Sequence, residues 1–203
     1  MAGYGYGISV SGSRTALVAS SGEAPITTSR AFNSSGEQVG STITGDIPSS
    51  WVRNSNVASV IFANNGSVIL IGSRALENNS LTSVTIPNSV TSIGATAFFT
   101  NNLASFNLGT GLASIGSGAF RSNQLTSITI PINVTTINGS AFRDNINLAS
   151  VNCYTTYGAF VSTNAFNNTA PALTIRVRVA DNTWTIGNQS FQGNPNVTVI
   201  NDL

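Results

Sequence analysis

The sequence predicts a mainly β solenoid, a right-handed stack of parallel strands with short helical turns, preceded by a small N-terminal β arm. Three observations lead there. A unit of 22 to 25 residues recurs six times from residue 57 onward. Each unit opens on a stretch that alternates with period two and is rich in β-branched side chains, the pattern of a half-buried strand. Charged residues make up only 7% of the chain, so solubility rests on hydroxyls and amides, with Asn alone occurring 25 times.

A repeat of this length decides the fold before any other feature does. The units begin at Val57, Leu81, Leu103, Leu125, Leu148 and Leu173, and a half-unit closes the chain from Val197. In each opening segment Leu81, Val84 and Ile86 share an inward role with Leu103, Phe106 and Leu108, and with Leu125, Ile128 and Ile130. Pro87 and Pro131 end their strands, because proline cannot donate to a ladder. A second apolar pair follows, Val90 and Ile93, then Leu112 and Ile115, then Val134 and Ile137. Gly72, Gly94, Gly116 and Gly187 come next, where a tight turn is expected. An Ala-Phe pair closes the coil at Ala97-Phe98, Ala119-Phe120, Ala141-Phe142 and Ala165-Phe166, with one short helical turn there at most. No unit buries its own apolar side chains alone; stacking on neighbours does so.

Three residues after that Phe, or its equivalent, stands an asparagine: Asn79, Asn101, Asn123, Asn145 and Asn194. The fifth unit departs, with Thr169 at the position and Asn168 one place early. An inward amide at each bend satisfies backbone groups of its own coil and the next, which buried backbone requires. This column is read as scaffold rather than as a ligand site.

Residues 1–56 lack the repeat. Arg30-Ala31-Phe32, Asn33-Ser34-Ser35-Gly36 and Glu37-Gln38-Val39 predict a hairpin. The domain reading is therefore 1–56 as a β arm that caps the solenoid or docks on a partner, and 57–203 as the solenoid. Because exposed edges invite pairing, the strand at Val197 to Ile200 is expected to leave a thin open edge.

Composition excludes several functions. Eight arginines against seven acids, with no Lys and no His, leave no basic face for nucleic acid or an anionic membrane. A single cysteine and no histidine argue against a structural zinc site, a nucleophilic triad and an internal disulfide. No cofactor, metal site or catalytic residue is expected. No run approaches the length needed to span a bilayer, and the opening has neither the basic n-region nor the apolar core of a secretory signal.

Cys153 falls in the column of Ile86, Leu108 and Ile130, and is read as a buried small hydrophobe. The candidate binding face is the outward strand columns: Ser83, Thr85, Ser105, Asn107, Ser127, Thr129, Ser150 and Asn152, a flat field of hydroxyls and amides. Arg176 and Arg178 extend it, beside Asp181 and Trp184, and could clamp a carboxylate or acidic sugar; a solvated strand face is the ordinary alternative. Arg121, Arg143 and Asp144 read as surface charge. Glu23, Glu37, Asp46 and Glu77 stand apart and form no acid pair of the kind a glycosidase needs. The Asn-x-Ser/Thr triplets at Asn65, Asn133 and Asn196 are ascribed to composition.

The units LTSVTIPNSVTSIGATAFFTNN and LTSITIPINVTTINGSAFRDN resemble the BspA-like class of leucine-rich repeats, over about residues 57–200. The resemblance implies a leucine-rich-repeat solenoid and a surface or adhesion protein that binds glycans or other proteins. The class often carries Cys where this chain has its Asn column. The fifth and sixth units also depart, with Tyr154-Thr155-Thr156-Tyr157 in place of the proline turn. The opening, GYGISVSGSRTALVASSG, is similar to the starts of some bacteriophage virion proteins, cyanophage ones among them.

Together these imply a non-enzymatic virion protein, attached to other virion proteins through residues 1–56 and presenting its repeats for host-surface adhesion or particle decoration. The host-side partner is then a surface glycan or protein, and a homo-oligomer is compatible with this reading. The alternatives are a bacterial surface adhesin of the same class, on the bacterial cell surface, and a glycan-cleaving enzyme.

Overall fold

Each repeat closes into a coil with three sides. A computed structural model describes residues 25–160, 164–177, 187–191 and 194–201. The first side is a row of strands: β3 (Val57–Ile61), β5 (Ser83–Thr85), β7 (Ser105–Asn107), β9 (Ser127–Ile130), β11 (Ser150–Cys153), β12 (Leu173–Val177) and β14 (Asn194–Asn201). β5 pairs parallel with β7, and β9, β11, β12 and β14 pair parallel in that order. Val84, Ile128, Val151, Ile175 and Val199 point inward and are buried, while Ser83, Thr85, Ser127 and Thr129 between them are exposed. β5 ends two residues before Pro87 and β9 one residue before Pro131, in keeping with the missing proline N–H.

The second side is a narrower row, β4 (Leu70–Ile71), β6 (Ser92–Ile93), β8 (Ser114–Ile115) and β10 (Thr136–Ile137), again parallel and in register. Single bridges extend it to Ile47 at one end and Phe160 at the other. The third side is the Ala-Phe turn. Its coils are tied by Leu76 N–H to Ala97 O, Phe98 N–H to Ala119 O, and Phe120 N–H to Ala141 O, at 2.8, 2.8 and 2.9 Å. The only helical turn among the described residues is a 3-10 turn at Tyr157–Ala159. The Phe side chains stack through the middle: Phe98 to Phe120 at 5.2 Å, Phe120 to Phe142 at 5.9 Å, and Phe142 to Phe166 at 5.6 Å between ring centroids.

Glycine serves a different purpose from the tight turn expected of it. A Cβ at Gly94 would lie 2.5 Å from Ser73 N and 2.8 Å from Gly72 C, both backbone of the preceding coil. Gly72 and Gly116 face the same approach. The column keeps coils close rather than reversing the chain. Asn138 holds it in the fourth coil and donates its amide to Ile115 O. Gly187 stands elsewhere, inside strand β13 (Gly187–Phe191) opposite Val199.

The reversals occur at two other columns that the sequence reading missed. Ser50, Arg74, Thr96, Gly118, Ser140 and Asn164 have positive φ, and so do Asn54, Asn78, Thr100, Ser122, Asp144 and Asn168. Asn and Asp tolerate this left-handed region, whereas a β-branched residue is strained in it. Thr100, at φ 53°, is the β-branched residue of the second column. Thr100→Asn should therefore stabilise the protein by about 1 kcal/mol, read as a higher urea midpoint at unchanged slope.

Elements outside the repeats close both ends of the stack. The hairpin forms, with β1 (Ser29–Asn33) and β2 (Gln38–Ile43) joined by a turn in which Asn33 Oδ1 accepts from Ser35 N–H and Glu37 N–H. β1 pairs antiparallel with β3 and covers that edge of the first side. Stacking also begins upstream of residue 57. Ile47, Ser50, Val52 and Asn54 donate their N–H groups to Leu70 O, Ser73 O, Ala75 O and Glu77 O, so residues 47–54 form a first partial coil and the 56/57 boundary falls inside the stack. At the other end the expected open edge is occupied. β14 is paired on both sides, parallel to β12 and antiparallel to β13. Asn194 accordingly opens β14 opposite Phe191, a strand position rather than a coil bend.

Candidate functional site

The outward columns of the first side form ladders. Ser83 pairs with Ser105, and Thr85 with Asn107. In the next sheet Ser127, Ser150 and Thr174 stand in register, as do Thr129, Asn152 and Arg176. Ser83, Thr85, Ser105, Asn107, Ser127 and Thr129 are exposed; Ser150, Asn152 and Arg176 are half-buried. The alternation that buries Val84, Ile128 and Val151 is what turns these groups outward. The result is two parallel rows of hydrogen-bonding groups without charge until Arg176. Arg178, Asp181 and Trp184, the rest of the suggested clamp, lie outside the described residues, as do residues 1–24.

A groove of about 470 Å³ opens beside this face. Thr85 and Asn107 line it together with Ile86, Pro87, Asn88 and Asn64. It joins the strand face to the loop between β3 and β4, a meeting of residues distant in sequence.

The asparagines at the bends face inward. Asn101 Oδ1 accepts from Leu81 N–H at 3.1 Å, and its Nδ2 donates to Leu76 O and Phe98 O at 2.9 and 3.2 Å. Asn123 repeats this with Leu103 N–H at 3.1 Å and with Phe98 O and Phe120 O, both at 3.0 Å. Asn145 does so with Leu125 N–H, Phe120 O and Phe142 O. Asn79 serves the first bend, accepting from Ser55 and Val57 and donating to Val52 O and Glu77 O. Each amide joins its own coil to the preceding one, not to the next. In the fifth unit Thr169 Oγ1 donates to Phe166 O. With both Nδ2 hydrogens and an Oδ1 lone pair committed to backbone and the side chains of Asn101, Asn123 and Asn145 buried, these amides serve the scaffold rather than a ligand.

The remaining polar candidates are also structural. Cys153 is buried between Ile130 and Val177 on the neighbouring strands. Asp46 and Glu77 do not stand apart. Asp46 Oδ1 accepts from Ile69 N–H and Leu70 N–H at 2.8 and 2.7 Å, supplying acceptors at the end of the second side. Glu77 pairs with Arg53 at 2.9 Å and lies 3.7 Å from Arg74. Among the described residues no cluster of three or more His, Cys, Asp or Glu could hold a metal ion. Nor is any helix of theirs long and apolar enough to cross a membrane.

Arg121 and Arg143 flank Asp144, at 2.8 and 3.5 Å, and Arg121 also lies over the ring of Phe99 at 5.5 Å. Burial pushes the Asp144 carboxyl up. Hydrogen bonds from Asn168 and Arg121, with the charges of Arg121 and Arg143, outweigh it and hold the carboxyl below its ordinary value. A carboxyl depressed in the folded state adds stability above its unfolded pKa and loses it as pH falls through the folded one. The groups are partly exposed, so the gain stays under about 1 kcal/mol. Asp144→Asn should lower neutral-pH stability by that small amount and flatten the acid limb of a stability-against-pH curve. An unchanged acid limb would contradict the pairing.

A search of curated proteins and a search of solved structures each found no match. The family description that does match is the BspA type leucine-rich repeat region, in six copies over residues 69–198. Stacked repeats of this kind serve as interaction surfaces. The matched span takes in all four short strands of the second side and the ladders of the first, so the chain belongs to the BspA-type leucine-rich repeat family.

Proposed function

We propose that this chain is a non-catalytic interaction protein that works at an exposed surface and binds through the strand face of its solenoid. The observation that carries the proposal is the pair of ladders running from Ser83 and Thr85 to Ser150 and Asn152. They place hydroxyls and amides at strand spacing on two successive sheets, with their side chains turned away from the core. Such a surface recognises a glycan or protein by repeated hydrogen bonds rather than by charge. Its backbone is already hydrogen-bonded into strands, which keeps the ordering cost of binding small.

The finer reading places the protein on a bacteriophage particle, facing the host or bracing neighbouring subunits. The likeness of its opening to virion proteins is its support. Within residues 1–56, β1 and residues 47–54 pack on the stack, and we assign the attachment to other virion proteins to residues 1–24. The second reading, a bacterial surface adhesin, is favoured by the family match.

Ser105→Arg and Asn107→Arg together test the face, since exposed substitutions of this kind change stability by no more than about 0.5 kcal/mol each. Binding to intact host cells or to particles should be lost while the urea midpoint holds. Unchanged binding would refute the face. Deleting residues 1–24 should remove the protein from particles and leave the solenoid folded; retained particle association would refute the attachment.

A further inference from the structure

The sequence holds two Asn-Gly pairs, Asn65-Gly66 and Asn138-Gly139. Glycine leaves the backbone nitrogen after an asparagine unshielded, so that nitrogen can attack the side-chain amide carbon wherever the chain has room to bring them together. The structure treats the two pairs in opposite ways.

Asn138-Gly139 is locked between coils. Asn138 donates its N–H to Ile115 O at 3.0 Å and its Nδ2 to the same oxygen at 3.2 Å. Gly139 O accepts from Gly118 N–H at 3.1 Å and from Ser117 Oγ at 2.9 Å. Both residues are half-buried. Closing a ring there would break several of these bonds at once.

Asn65-Gly66 is exposed, in the bend between β3 and β4. A Cβ at Gly66 would meet nothing within 4 Å. Asn65 Oδ1 accepts from Ser67 N–H at 3.1 Å. The ring closed by that bond contains Gly66 N, so nucleophile and amide belong to one local turn. The same donor polarises the amide carbonyl and faces the oxyanion that would form on attack, the arrangement that stabilises tetrahedral intermediates in acyl transfer.

We propose that Asn65 is a site of spontaneous modification, converted to aspartate and isoaspartate through attack by the Gly66 backbone nitrogen. Gly66 N gives its proton to a solvent base and bonds to Asn65 Cγ. The Cγ–Nδ2 bond breaks and ammonia leaves, giving a five-membered cyclic imide. Water then opens the imide. Cleavage of the Cγ–N bond yields aspartate; cleavage of the bond from the Asn65 backbone carbonyl carbon to N yields isoaspartate. One water enters, one ammonia departs and nothing is oxidised or reduced. Gly66 lies on the rim of the uncharged groove that Thr85 and Asn107 share with the strand face. The product therefore puts a carboxylate beside an otherwise neutral binding surface, and the modification would act as a slow, one-way change in what that rim accepts.

The test uses the full chain, held at mildly alkaline pH and sampled over days. Cleavage after arginine places Asn65 in peptide 54–74 and Asn138 in peptide 122–143. Mass spectrometry with fragmentation locates each amide-to-acid change, and chromatography separates the isoaspartyl form. In the folded protein Asn65 should convert at least about tenfold faster than Asn138, a barrier difference of about 1.4 kcal/mol. In denaturant the two rates should converge, and Gly66→Ala should slow conversion at Asn65 alone. Equal rates in the folded protein, or faster conversion at Asn138, would overturn the proposal.

Discussion

Asn123→Ala should lower the stability of the stack by about 3 kcal/mol, because it leaves the buried Leu103 N–H without an acceptor and removes one of the two amide donors from each of Phe98 O and Phe120 O. Phe98 O keeps Asn101 and Phe120 O keeps Asn145, so the cost falls mainly on Leu103 N–H, and an unfulfilled buried donor is costly. Asn102 offers the control. It is the exposed neighbour of the inward Asn101, and Asn102→Ala should change stability by no more than about 0.5 kcal/mol. Asn123→Asp separates hydrogen bonding from shape. Its carboxylate accepts but cannot donate, and it would face the oxygens of Phe98 and Phe120. Burial raises the pKa of such an acid in the folded state, so its penalty applies above that pKa and eases as pH falls through it. The Asp variant should therefore recover part of its stability on acidification, where the Ala variant does not. Urea unfolding at neutral and acid pH measures both.

Phe120→Ala should cost a similar amount, about 4 kcal/mol. Its ring is fully buried and stacks on Phe98, Phe142 and Phe106, the last at 4.5 Å. Neighbouring coils are held apart by their backbone bonds, so the stack cannot collapse into the space left behind, and an unrelieved cavity is the expensive kind. Phe120→Leu, which keeps most of the volume, should cost much less. A chain in which Phe120→Ala is tolerated within about 0.5 kcal/mol would not have the continuous core described here.

Much of this architecture was legible because the repeat reports it many times over. Alternation within Leu81–Ile86 and Leu125–Ile130 gave the strands and their outward face, and the spacing from Phe to Asn gave the bend amides. Beyond the hairpin at residues 29–43, the ends were not legible, for a physical reason. The first coil, residues 47–54, needs only one stacked face, so Ile47 and Val52 suffice where inner coils need Leu, Ile and Phe. Its acceptors for Ile69 and Leu70 come from the Asp46 side chain, which no repeat column announces. At the other end Ile186-Gly187 imitates the turn column, yet Gly187 joins a hairpin strand that closes the sheet.

The two left-handed columns were hidden by their composition. Asn, Ser, Thr, Arg and Asp all occupy them, so no single residue type marks the reversal. The glycine column was visible, but its cause was not, since close approach of coils and positive φ select the same residue. Of the candidate site, the ladders followed from alternation. The groove did not, because it brings Asn64 and Gly66 beside Thr85 and Asn107 across the stack. Arg121, Arg143 and Asp144 were read as surface, and their pairing depends on two adjacent coils meeting.

Amide hydrogen exchange under native conditions tests the central claim most directly, that stacked coils share one core and are tied at their bends by asparagine side chains. The N–H groups of Leu81, Leu103 and Leu125 have a side-chain oxygen, and no backbone carbonyl, as their acceptor. They should exchange only through global unfolding, with the same protection as Phe98 N–H and Phe120 N–H in the coil ladder. Rapid exchange at those three leucines beside a protected ladder would mean the bends are open to water, and would contradict the account.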